Sequence, residues 1–201
     1  MQKANFFYPL FRPGLIFTEI AKGNAFSSPA LAFMLPVLLI LPPLFLWLGT
    51  GMFGWRLGSA SPLYMENTVR LIISLSYFGA LCIGFFGTVY IAQWMGSTYG
   101  VKKSSRAYFS LLTVVFFPIT VASIAHIYPN GFFNVLILLP TLIWCMSLLY
   151  RGLPVALEIP PERGMLMSTS LSAFWEYRLA YGQSASDHLS LYKFRSMNVT
   201  K

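Results

Sequence analysis

Four long apolar runs separated by short polar stretches dominate the chain, from about Ala30 to Leu48, Val69 to Gln93, Tyr108 to Ile127 and Phe132 to Tyr150. Each approaches or exceeds the roughly twenty residues that an α-helix needs to cross the hydrocarbon core. None contains Asp, Glu, Lys or Arg beyond its ends. The pattern predicts an all-α integral membrane protein, a four-span helical bundle over residues 30–150. An interfacial N-terminal arm (1–29) and a C-terminal tail (151–201) flank it. Tyr128-Pro129-Asn130-Gly131 is a turn sequence, so the third and fourth runs are expected to form an antiparallel hairpin.

Composition supports the same solvent. The 201 residues are 56% hydrophobic and 10% charged, where soluble domains carry about 25% charged residues. Six acids and fourteen bases cannot form a soluble surface that also accommodates eighteen Phe, eleven Tyr and five Trp. The +8 net charge does not point to nucleic acid, because the bases are scattered over loops and never build a continuous basic face. Cys82 and Cys145 lie inside apolar runs and read as small buried hydrophobes rather than a disulfide pair or metal ligands.

The bases orient the bundle. With a cytoplasmic N-terminus, the inner segments hold Lys3, Arg12, Lys22, Lys102, Lys103, Arg106 and the six bases after Tyr150, leaving only Arg56 and Arg70 outside. The positive-inside rule therefore places both termini in the cytoplasm and His126 near the opposite surface. Lys3, Arg12 and Lys22, with Pro9 and Pro13, interrupt any signal-peptide core, so the N-terminus is expected to be retained.

Phe6, Phe7, Phe11 and Phe17, interleaved with Arg12, Glu19 and Lys22, suggest an aromatic segment in the interface plane, with Pro13 opening a short helix. Beyond the fourth run, Leu171, Phe174, Trp175 and Leu179 share one helical face, as expected of an interfacial or partner-docking helix. Glu176, Arg178, Asp187, His188, Lys193 and Arg195 follow closely. At about 2.5–3.5 kcal/mol for each charge placed in hydrocarbon, a fifth crossing is not expected.

The second run carries small residues every fourth position: Ser76, Ala80, Gly84, Thr88, Ala92 and Gly96. Such a stripe lets helix backbones approach closely, which predicts this helix as the central packing element. A spacing of four advances past a full turn, so the stripe winds and one partner can follow only part of it. Pro36, Pro42, Pro43, Pro118 and Pro140 interrupt the other three runs, where neighbours or polar side chains must satisfy the freed carbonyls.

Chemistry is sparse. A phosphate loop, an HExxH helix, paired Cys ligands and a nucleophile elbow are all missing, and no acid lies inside a span. His126 reads as a satisfied interfacial histidine, and Asp187-His188 as part of a solvated tail. No catalytic, metal-ligating or cofactor-binding residue is nominated, and no enzymatic activity or cofactor is expected.

Leu10-Phe11-Arg12-Pro13 with Phe17 and Ile20, the pair Gly54-Trp55, and Leu149-Tyr150-Arg151-Gly152-Leu153-Pro154 together resemble the Yip family of Ypt/Rab-interacting membrane proteins, especially its bacterial inner-membrane branch. The acidic, Pro-containing loop Glu158-Ile159-Pro160-Pro161-Glu162-Arg163-Gly164 resembles the one that follows the family's Tyr-x-Gly-Leu-Pro segment, here Tyr150, Gly152, Leu153 and Pro154. The resemblance covers roughly residues 8–170 and implies a compact helical membrane domain with a cytoplasmic N-terminus, no established chemistry, and an inner-membrane location. The family usually ends in a fifth span, and here the polar residues after Trp175 depart from it.

The expected partners are membrane lipid and other integral membrane proteins, with no nucleic acid or soluble substrate. The leading expectation is an accessory subunit, scaffold or assembly factor that works by helix packing and docking. Two alternatives stay open: a transporter or channel for a small neutral or apolar solute along the proline-broken helices, and membrane shaping by the interfacial segments.

Overall fold

The computed structural model describes residues 13–24, 28–57 and 61–173, which are predominantly helical; the only β pairing among them is isolated bridges. In chain order, α1 is Pro13–Ala21, α2 Ser28–Met52, α3 Asn67–Thr98 and α4 Ser105–Ala122. A 3₁₀ turn, Ser123–Ile127, continues α4, and α5 is Gly131–Leu157. A last helical stretch, α6, is described over 161–173. Four segments are long and apolar enough to cross a membrane: Leu31–Met52, Asn67–Thr98, Ser105–Ile127 and Gly131–Leu157. Each extends beyond at least one end of its apolar run. Hydropathy marks where lipid ends, whereas backbone hydrogen bonding continues into the interface through residues such as Asn67, Thr98, Ser105 and Arg151.

The third span, and not the second, is the centre of packing. Of the most apolar stretch of each, 61% is buried in the third and 11% in the second. Among the described elements, α4 packs against α2, α3 and α5, with α5 its most extensive neighbour. Small residues permit close approach, but burial requires neighbours on all sides. The third span is suited to that position because several of its hydroxyls bond back within the span: Ser110 donates to the Arg106 carbonyl (2.8 Å), Thr113 to Phe109 (2.7 Å) and Ser123, in the 3₁₀ turn, to Thr120 (2.6 Å). Such bonds back along the span offset part of the cost of burying a hydroxyl. Phe85 of α3 meets Phe109 and Phe116 of α4, with ring centroids 6.2 and 6.0 Å apart.

A proline defect is repaired across this core. Pro42 has no N–H, which frees the Leu38 carbonyl one turn earlier. Thr120 of α4 reaches it with a long hydroxyl contact of 3.5 Å. Thr120→Val keeps the shape and removes the donor. The variant is expected to lose about 0.5–1 kcal/mol, the usual scale of an interhelical hydrogen bond in membranes, when unfolding is followed in mixed micelles.

The spans alternate direction, so α1, the 99–104 connection and the α5–α6 turn share one end, here the basic end. Residues 53–57 and 61–66 and the 128–130 turn share the far end. At the basic end Glu158 closes α5 in the left-handed region (φ 55°). From there α6 returns antiparallel along α5: the Tyr150 hydroxyl lies 3.0 Å from that of Thr169, and Ser172 donates to Met146 Sδ at 3.3 Å. Met167 and Leu171 complete its buried face. The described part of α6 is thus docked on the bundle alongside the fourth span.

Candidate functional site

The Tyr150-Gly152-Leu153-Pro154 segment lies where three pieces of chain converge on α5. Tyr150 contacts Thr169 of α6, and Leu153 is fully buried. Pro154 packs on Gly164, where an added Cβ would come within 2.6 Å of the proline Cβ. Gly152 leaves space for the ring of Phe17: an added Cβ would lie 2.5 Å from Phe17 Cζ and 2.7 Å from both Cε atoms. Only glycine lets α1 approach this closely.

Lys103 completes this clasp. Its ammonium donates to the Ala21 carbonyl at the end of α1 (2.7 Å) and to Glu158 Oε2 (2.7 Å), tying α1 and the α5–α6 turn to the connection before α4. A cation at a helix C-terminus also meets the negative end of the helix dipole. At the same end of α1, Asn24 and Lys22 each bond the Glu19 carboxylate at 2.9 Å. The Asn24 amide first, and then the Lys22 ammonium, hold that carboxyl below its usual range. Lys103→Met is expected to weaken α1 docking by about 1 kcal/mol, because solvent partly screens the exposed carboxylate. Faster proteolysis near Ala21 in intact membranes would register the loss.

The small-residue stripe divides in two. Thr88, Ala92 and Gly96 are buried, Gly84 is half-buried, and Ser76 and Ala80 are exposed. Gly96 carries the Tyr108 ring directly upon it, an added Cβ falling 3.0 Å from Cζ. Phe17 and Leu171 are buried in the chain's own core. Phe6, Phe7, Phe11, Phe174, Trp175 and Leu179 lie outside the described residues.

The far end holds a polar network of which the sequence disclosed only the satisfied His126, not its partners. Asn130 caps α5, its side-chain oxygen accepting from the Phe132 and Phe133 amides at 3.1 and 3.3 Å. Asn134, one turn on, donates its amide to the Asn130 and Tyr128 carbonyls (2.9 and 3.4 Å). Its Oδ1 therefore faces His126 Nδ1 at 2.8 Å, which assigns the proton to Nδ1 and leaves Nε2 to accept from Tyr77 at 3.2 Å. The signal available was Asn134 itself, the one amide in the fourth apolar run. This arrangement locks the third span to the second and fourth, since both imidazole nitrogens are engaged.

Two arginines flank the network. The Arg70 guanidinium sits 5.1 Å over the Trp47 ring and against Gly51, and that of Arg56 sits 5.8 Å over Tyr128. The Arg56 backbone exchanges hydrogen bonds of 3.0 Å with Pro129 and Gly131, pinning the 53–57 segment to the α4–α5 turn. Among the described residues no group of three or more His, Cys, Asp or Glu could hold a metal, and Cys82 and Cys145 are free thiols.

The Yip1 domain matches residues 7–175 of the chain. The chain is similar to the inner membrane protein YohC of Escherichia coli K12, 24% identical over 133 residues that cover 66% of this chain and 68% of that protein. It is similar to the same extent to YohC of Escherichia coli O6:H1. No solved structure matches. Together with the four spans, this similarity is that of a multi-pass inner-membrane protein. With the match running from the N-terminal arm through the clasp into α6, the chain belongs to the Yip1-domain family of polytopic membrane proteins.

Proposed function

We propose that the chain works without catalysis, as a scaffold or accessory subunit that engages another integral membrane protein through the outer half of α3. The observation carrying this reading is the divided stripe. Its basic-end half is covered by the chain's own helices, while Ser76 and Ala80 face outward between exposed Ile72 and Ile83, beside Gly79, where an added Cβ would meet nothing within 4 Å. Small residues on a lipid-facing helix surface are where a second backbone packs best. A transport reading has less support, because Leu111, Leu112 and Val115 fill the interior of the third span with apolar side chains.

The test is site-directed crosslinking in native membranes from Ser76→Cys and Ala80→Cys, with Trp144→Cys on exposed α5 as the comparison, followed by mass spectrometry. Crosslinks to one partner in stoichiometric yield, specific to the α3 positions, are expected. Recovery of a lone monomer after gentle-detergent purification, with no α3-specific adduct, would count decisively against the scaffold.

A further inference from the structure

Pro118 precedes the point where α4 tightens into the 3₁₀ turn, and an apolar groove of about 460 Å³ runs along that change of helix. This volume falls in the range of ~300–1,000 Å³ common to small-molecule sites. Phe53, Ala122, Ala125, Tyr128 and Ile137 are among its lining residues, and Val121, Ile124 and Phe133 on its walls are exposed, so it opens sideways. The edge-on ring contacts Phe53–Tyr128 and Tyr128–Phe133, both with centroids 5.9 Å apart, form its mouth at the far end. Ile137 lies six residues into α5, so the groove descends roughly 9 Å from the loop level into the span.

A cation stands beside that mouth, against Tyr128 and outside the groove's own lining. The Arg56 guanidinium is held over the Tyr128 ring, and its buried Nε has no hydrogen-bond partner among the described residues. The described ion pairs, Glu19 with Lys22 and Lys103 with Glu158, both lie at the basic end. Glu66, the one carboxylate described at the far end, does not pair with Arg56. A guanidinium beside the mouth and an open apolar groove running into the span match a ligand with an anionic head and a hydrocarbon tail, oriented as the bilayer orients it. We propose that this groove binds an anionic phospholipid, with one acyl chain along Ala122, Ala125 and Ile137 and the phosphate at Arg56. The fixed guanidinium fork gives the head its preference for a phosphate without a compensating cation.

The full chain, reconstituted in phosphatidylcholine nanodiscs with and without phosphatidylglycerol, tests this by native mass spectrometry of the lipid retained. One phosphatidylglycerol per chain is expected to be held in preference to phosphatidylcholine. Arg56→Gln, which removes the charge, and Ala122→Phe, which fills the groove and leaves the charge, should each lower retention about tenfold. Arg56→Lys should keep much of it, and Arg70→Gln should leave it unchanged. Equal retention of phosphatidylcholine, undiminished phosphatidylglycerol in Ala122→Phe, or displacement of the lipid by inorganic phosphate alone would overturn the proposal. If Arg56→Gln does not fold, the Ala122→Phe result decides.

Discussion

Gly49→Ala is expected to destabilise the bundle by about 3 kcal/mol or more, the upper end of the usual range for over-packing. The added methyl would collide with the His126 carbonyl oxygen and lie 2.5 Å from that of Ile127 and 2.8 Å from its carbon. All three obstacles are backbone, so no side chain can rotate to make room. Either α2 moves off the 3₁₀ turn or the turn shifts and pulls His126 away from Tyr77 and Asn134. Gly79→Ala is the internal control: nothing lies within 4 Å of its added methyl. There the same change removes backbone freedom from a helix interior and should be neutral or stabilising by up to about 1 kcal/mol. Unfolding of both variants in mixed micelles checks the pair, and equal losses would show that close approach at Gly49 is not what the fold depends on.

Phe17→Ala should cost about 3–5 kcal/mol, the scale for truncating a buried aromatic. The loss falls on one unit of the structure. Phe17 and Ile20 are the buried residues of α1, and Phe17 occupies the notch that Gly152 leaves open. The four spans keep their own contacts, so the expected phenotype is an inserted bundle with an undocked N-terminal helix. Hydrogen exchange should rise over 13–24 and the 99–104 connection while the interior of α4 stays protected. Gly152→Val should reproduce this by displacing the ring from the other side, and combining the two changes should add little, since both break one contact. Global loss of protection in α4 would instead make α1 part of the cooperative core.

Much of this architecture was legible from hydropathy, because in lipid a backbone must satisfy its own polar groups and apolar length translates directly into helices. The Tyr128-Pro129-Asn130-Gly131 turn between the third and fourth spans was legible from turn chemistry for a similar reason. Which helix sits at the centre was not. Ser76 through Gly96 record how near a neighbour could come to α3, whereas the centrality of α4 depends on how many neighbours surround it. The hydroxyls of Ser110, Thr113 and Ser123, each bonded back within the third span, were the better sign of burial. The clasp was visible only as a motif: nothing local to Gly152 says that a ring from residue 17 will fill its place, and nothing local to Lys103 says that it will bond the end of α1. Contacts between residues so far apart in sequence leave no periodic trace. The far-end network was partly legible, since His126 read as satisfied, but its partners Tyr77 and Asn134 emerge only once three helices are brought together.

The contact between Phe17 and Gly152 also bears on the order of synthesis. More than a hundred residues separate the two. At about 5–20 residues per second, α1 leaves the ribosome on the order of ten seconds before its seat exists. During that interval Phe17 and Ile20 have no protein surface to cover them, and the nearest apolar phase is the boundary of the bilayer. The helix α1 is therefore expected to have two successive addresses, first the lipid surface where the nascent chain waits, and then the fourth span once translation has supplied it.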